Sequence, residues 1–188
     1  METVMKNDTK PVMRTVDLAL IALCASLIAV CSWISIPTVV PFTLQTFAVF
    51  CVLELLGGKK GTVSILVYIL LAAVGVPVLS GFSGGLSALL GTTGGYVLGF
   101  LLIGLLYWLS ESLFGKKLPV RISVLALGLA VCYAFGTAWF MIVYANKTGP
   151  VGLGTALGWC VIPFIIPDLI KLALAVGVAS RLRKHTIQ

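Results

Sequence analysis

The sequence predicts an all-α integral membrane protein with six transmembrane helices, both termini cytoplasmic, and glycine-rich outer loops capping an outward-facing pocket. Three observations predict it. First, 60% of the 188 residues are hydrophobic and 10% are charged, whereas soluble domains carry about 25% charged residues; mean hydropathy is +1.13. Second, the length leaves room for about six spans of ~20 residues with short connections. Residues 1–188 therefore read as a single six-helix transmembrane domain, with no space for a separate soluble one. Third, the basic residues fall in clusters between the spans. With the N-terminus inside, the inner segments hold Lys6, Lys10, Arg14, Lys59, Lys60, Lys116, Lys117, Arg121, Arg181, Arg183 and Lys184, and the outer segments hold only Lys147. Eleven against one is a strong positive-inside pattern. The net charge of +7 follows from this placement and gives no reason to expect nucleic acid.

In chain order, residues 1–17 are polar and read as a short lead-in. Residues 18–36 form the first span. No small-residue cleavage site follows it before charge returns, so it is expected to stay as a membrane helix. Ala22, Ala25 and Ala29 fall near one stripe, and small residues let another helix approach closely in lipid, whether a helix of this protein or of an external partner. Pro37 and Pro41 end this helix in an extended or turned connection. The second span covers 42–56, with Glu54 near its end, just before Lys59 and Lys60 and close enough to the interface to snorkel or pair with a lysine, and so read as structural.

Residues 61–110 carry no charge at all. That is enough for two spans, at about 62–73 and 94–110, with a connection between. Residues 75–95 supply the connection, with seven glycines and Pro77. It is apolar, and non-helical backbone at membrane depth survives only when buried in protein or lining a water-filled cavity. It is expected to fold over the protein and cap a cavity. Residues 111–121 read as a basic loop, 122–144 as the fifth span and 146–158 as a second glycine-rich loop. The sixth span begins near Trp159. Pro163 and Pro167 are expected to break it, so that its lower half starts near Asp168 with free backbone donors.

The last span holds the feature around which the others are arranged. Residues 162–178 are apolar and of bilayer length, yet they carry Asp168 and Lys171. Three residues apart, these lie on one helix face. Each charge costs about 2.5–3.5 kcal/mol at a bilayer centre even on a lenient scale. Such residues pair, line a polar cavity or bind a ligand. At ~1.5 Å per residue, Asp168 sits roughly 10 Å from the outer end of its helix, so the cavity is expected to face outward. Gln45, Thr43, Tyr96, Tyr144 and Asn146 add polar groups near the same side, and glycine-rich backbone can approach a flat ligand closely. Trp33 and Trp159 fall near the outer boundary as interface residues or pocket walls.

Other chemistry is poorly served. Cys24, Cys31, Cys51, Cys132 and Cys160 are scattered singly, without metal or redox spacing, and no metal is expected. No Gly-x-x-x-x-Gly-Lys-Ser/Thr loop is present, so the chain is not an ATPase of that kind. Gly81-Phe82-Ser83-Gly84-Gly85 fits a serine-hydrolase pattern, but a serine nucleophile needs a base in reach. His185 falls on the wrong side of the membrane, leaving only a Ser83–Lys171 dyad.

Four stretches then converge. Pro41-Phe42-Thr43-Leu44-Gln45-Thr46-Phe47, Gly81-Phe82-Ser83-Gly84-Gly85, Gly91-Thr92-Thr93-Gly94-Gly95-Tyr96 and Asp168-Leu169-Ile170-Lys171 together resemble the BioY family, the biotin-binding S components of energy-coupling factor (ECF) transporters. The resemblance runs in order over nearly the whole chain, with Thr92 standing where the family often has proline. It implies six helices and loops closing over biotin near the outer face of a bacterial cell membrane. It implies no enzymatic activity and no cofactor, biotin being the transported substrate. It also implies partners: a transmembrane coupling subunit, docked on an Ala-x-x-x-Ala row that Ala25 and Ala29 match, and two cytosolic ATPases.

Biotin has two ureido N–H donors and a carbonyl, an apolar ring and a carboxylate tail. The resulting expectation has Asp168 accepting a ureido N–H and Lys171 on the ureido carbonyl, with Gln45, Thr43, Tyr96, Tyr144 and the loop glycines Gly84, Gly85, Gly94 and Gly95 framing the rest. Lys171 on the tail carboxylate is the opposite arrangement. An S component for another vitamin, or a stand-alone proton-coupled carrier using Asp168 as relay, would use the same residues.

Overall fold

The computed structural model describes residues 14–186. Expectations resting on residues 1–13, or on the side chains of Arg183, Lys184 and His185, lie outside the described part. Apolar segments in a bilayer must satisfy their backbone internally, and helices do so without partners. Among the described residues, five helices are long and apolar enough to cross a membrane.

Helix α1 (Thr15–Trp33) leads into a small hairpin, β1 (Ser35–Ile36) paired antiparallel with β2 (Phe42–Thr43). Pro37 and Pro41 lie in its connection. Helix α2 (Gln45–Ala73) spans both segments expected as the second and third spans, but it is not straight. Gly57 has φ +79° and ψ 174°, a left-handed break that favours glycine. The chain folds back there. A Cβ at Gly61 would lie 3.0 Å from Cα of Leu53, and Gln45 Nε2 donates to the Tyr68 hydroxyl at 2.7 Å. In one straight helix that second pair would be about 34 Å apart. The Gly58 N–H donates to Glu111, so a carboxylate caps the start of the second half, where anions are favoured.

The glycine-rich connection contains one 3-10 turn (Ser80–Phe82) and the short helix α3 (Leu86–Leu89). Helix α4 (Gly94–Phe114) and helix α5 (Leu118–Thr148) follow. Their seam is built on small residues. A side chain at Gly95 would collide with Trp139, one at Gly99 with Cys132, and one at Gly136 with the ring of Tyr96. Such contacts bring backbones close where lipid supplies no hydrophobic drive.

Both helices outrun their expected limits. The loops expected at 111–121 and 146–158 shrink to residues 115–117 and 149–152. Helix α5 is 31 residues long, about 46 Å at the standard rise, so its polar end extends past the ~30 Å hydrocarbon core. Lys147 sits in its last turn, where a cation suits the helix dipole.

Helix α6 (Leu153–Cys160) meets helix α7 (Ile162–Thr186) at Val161, whose φ/ψ of −127°/−57° leave the helical region. The expected break at Pro163 and Pro167 is therefore corrected. Pro163 occupies the first turn of α7, where no backbone N–H is needed. Pro167 lies inside the helix, so Asp168 is not at a helix start.

Packing bears on two further expectations. Ala25 and Ala29 are buried in the core, where α1 packs along α2, and only Ala22 of the three faces outward, beside the exposed Ser26. Glu54 is 0% exposed. It pairs with Arg121 and accepts from Tyr107 Oη at 3.1 Å, rather than reaching Lys59 or Lys60. Lys60 pairs with Asp17 instead, and Lys116 with Glu111. These ion pairs gather at one end of the bundle. The cavity lies toward the other.

Candidate functional site

Asp168 and Lys171 project from α7 one turn apart and are 3% and 6% exposed. Lys171 Nζ donates to Oδ1 of Asp168 at 2.8 Å. It also donates to the carbonyl of Thr43 at 2.7 Å, which ties α7 to the hairpin. The same ammonium lies 4.2 Å from the ring centroid of Phe42, a cation–π contact. Phe42 in turn stacks on Phe164, centroids 5.7 Å apart. Oδ2 of Asp168 accepts from the Tyr133 hydroxyl at 2.6 Å. The pair is thus neutral overall, with both carboxylate oxygens engaged. That satisfies the condition for burying charge at tolerable cost.

This centre opens on a cavity. Its walls include Thr43, Gln45, Tyr96, Tyr133, Asp168 and Lys171, the apolar Phe100, Leu129 and Phe164, and Leu79, Ser80 and Ser83 from the glycine-rich connection. Its volume is about 130 Å³, on a measure by which one water needs ~10–15 Å³. A small organic molecule fits, not merely a bridging water. Mostly apolar walls with a few convergent polar groups are the usual composition of a small-molecule site.

Of the expected residues, Asp168, Lys171, Gln45, Thr43 and Tyr96 line this cavity. Tyr96 is oriented by a 3.0 Å hydrogen bond between its hydroxyl and Thr137 Oγ1. Gly84, Gly85, Gly94 and Gly95 do not line it. A Cβ at Gly84 would strike the Val76 carbonyl, one at Gly94 the Leu89 carbonyl and one at Gly95 the Trp139 side chain, while Gly85 has φ +90°. They shape the backbone behind the wall. Tyr144 also lies off the cavity, stacked on Phe140 and edge-on to Trp159. Ser83 donates to the Ser80 carbonyl at 2.8 Å, and Lys171 is engaged by Asp168 and Thr43, so no serine–lysine contact forms.

Sequence reasoning missed Tyr133, Ser80, Thr93 and Cys160, which also line the cavity. Tyr133 had a visible sign: a phenol mid-span needs a hydrogen-bond partner in a bilayer. What partner it takes is visible only in three dimensions.

A helical bundle of membrane-crossing segments, with a small-molecule cavity built round one buried acid–base pair, is a membrane-embedded solute-binding protein. A sequence model of the BioY family matches residues 5–188, and the chain belongs to that family. It is 39% identical over 176 residues to the probable biotin transporter BioY of Pyrococcus horikoshii, covering 93% of this chain and all of that one. It is 40% identical over 168 residues to the biotin transporter BioY of Thermotoga maritima, covering 87% and 93%. The crystal structure of the S-component for biotin from an ECF-type ABC transporter superposes with a TM-score of 0.77 at 29% identity, over 90% of this chain and 91% of that one.

Proposed function

We propose that this protein captures biotin and delivers it for uptake as the substrate-specific S component of an ECF-type transporter. The observation that carries this is the neutral, hydrogen-bonded Asp168–Lys171 pair set in an otherwise apolar cavity. Biotin's ureido group offers donors to a carboxylate and an acceptor to an ammonium. Its ring system suits the apolar wall. In this reading Asp168 accepts a ureido N–H and Lys171 meets the ureido carbonyl, exchanging one of its present partners for the ligand. Gln45 and Tyr96 complete the frame, and the nearby glycines hold the backbone that carries it.

In the same reading the two halves of α2 each cross the membrane, making six crossings with both termini cytoplasmic. The basic end faces the cytoplasm, and the cavity faces outward from the cell membrane. The subunit is not an enzyme and needs no cofactor. Import energy comes from a transmembrane coupling subunit and two ATPases. With Ala25 and Ala29 buried, Ala19, Ala22 and Ser26 are small residues of α1 that face outward and remain available to such a partner.

The test is titration of the purified protein with biotin, followed by tryptophan fluorescence and by calorimetry. One-to-one binding that is lost in Asp168→Asn supports the reading. A folded protein that takes up no biotin by either method, or an Asp168→Asn variant with parental affinity, overturns it.

A further inference from the structure

The glycine-rich connection reaches the cavity through Leu79, Ser80 and Ser83, yet these residues are held from outside the site. The last two residues of α1 grip the stretch just before them. Trp33 Nε1 donates to the Pro77 carbonyl at 2.9 Å. Ser32, fully buried, reaches the Val78 carbonyl with its hydroxyl, and that of Ala29 in its own helix at 2.7 Å. The Val78 carbonyl also accepts from Tyr68 Oη at 3.1 Å. Farther along, the Trp33 ring stacks on Phe82, centroids 5.1 Å apart. Between these grips, Leu79 N–H closes on the Ser83 carbonyl at 2.9 Å, making residues 79–83 a single small loop.

The same chain of hydrogen bonds runs into the cavity wall. Tyr68 Oη, which donates to Val78, accepts from Gln45 Nε2 at 2.7 Å. Two walls of the cavity therefore converge on one carbonyl, and α1 closes the junction. Neither Ser32 nor Trp33 lines the cavity.

We propose that Ser32 and Trp33 are positioning residues for the substrate: they clamp residues 77–83 over the cavity and thereby set how long a bound ligand stays. The proposal rests on the biotin reading and goes beyond it by giving α1 a part in retention. A clamp that is already formed acts mainly on escape. Its loss should raise the dissociation rate more than it lowers the association rate, the usual partition for affinity changes at one site.

The experiment uses the full-length protein in lipid nanodiscs with labelled biotin, chased by unlabelled biotin. Hydrogen–deuterium exchange of residues 77–83 is read in parallel. Ser32→Ala and Trp33→Phe each remove one hydrogen bond, and Phe keeps a ring against Phe82; Trp33→Ala removes both contacts. The double variant Ser32→Ala/Trp33→Phe should exchange faster at 77–83 and release biotin roughly tenfold faster, as loss of two hydrogen bonds that hold this stretch allows. Association should stay near the parental rate, and Trp33→Ala should exceed Trp33→Phe. Where the double variant does not fold, the two single variants carry the same comparison. Release at the parental rate, with or without faster exchange, overturns the clamp. So does a binding loss that merely tracks the unfolded fraction. A parent that retains no biotin fails the functional reading first, and the clamp with it. A parent that retains biotin, beside variants that release it equally slowly, fails the clamp alone.

Discussion

The Tyr133 hydroxyl donates at 2.6 Å to the one oxygen of Asp168 that Lys171 leaves unbonded. Helix α5 thus reaches across the cavity to complete an acid–base pair that lies wholly on α7. The carboxylate is held by two donors from different helices, so its orientation is set before any ligand arrives. Preorganisation of this kind lowers the cost of binding.

Tyr133→Phe keeps the ring and removes that donor. A hydrogen bond to a charged group is worth about 1.5–3 kcal/mol. Biotin affinity should fall roughly tenfold or more by calorimetry, with the one-to-one stoichiometry retained. Parental affinity would mean that Tyr133 only fills space.

Lys171→Met should be worse for folding than for binding alone. It leaves Asp168 as a buried, uncompensated carboxylate, and breaking one side of such a pair costs about 3–5 kcal/mol. The double variant Asp168→Asn/Lys171→Met removes both charges. Thermal unfolding should show it more stable than Lys171→Met, while biotin binding stays absent. A double variant that binds biotin would separate the pair from the ligand.

Gly136→Ala places a methyl group far closer to the Tyr96 ring than van der Waals contact allows. Overpacking costs about 1–3 kcal/mol, and Tyr96 must move off its bond to Thr137 to relieve it. Both the thermal midpoint and biotin affinity should drop. An unchanged midpoint would show that the α4–α5 seam can open at no cost.

Arg121→Met removes a cationic partner of Glu54 at the end of the bundle remote from the cavity. The loss should be about 1.5–3 kcal/mol of stability, the worth of a hydrogen bond to a charged group, because Glu54 is fully buried. Biotin affinity of the folded fraction should stay within about twofold, since sites without shared partners behave additively. A large affinity change would reveal coupling between the two ends.

Much of this protein was determined by its sequence. A bilayer obliges each crossing segment to be apolar and helical, so hydropathy alone located the membrane helices, and the spacing of Asp168 and Lys171 placed both on one face. Their cost in lipid pointed to them as the centre of the site. What the tertiary structure decided is which face of each helix turns inward. Lipid tails are as apolar as a protein core, so a helix that is apolar all round carries no stripe to mark its inner side. That is why Ala25 and Ala29 read equally well as an outer docking row and as core, and why Glu54 could be assigned the wrong basic partner. The loop glycines marked an irregular connection but not what each of them meets: whether Gly84 or Gly94 meets a ligand or a neighbouring carbonyl depends on what lies within a few ångströms, and sequence does not carry that distance. Tyr133 belongs with them, a phenol whose partner lies thirty-five residues away and comes within reach only once α5 and α7 are packed around the cavity.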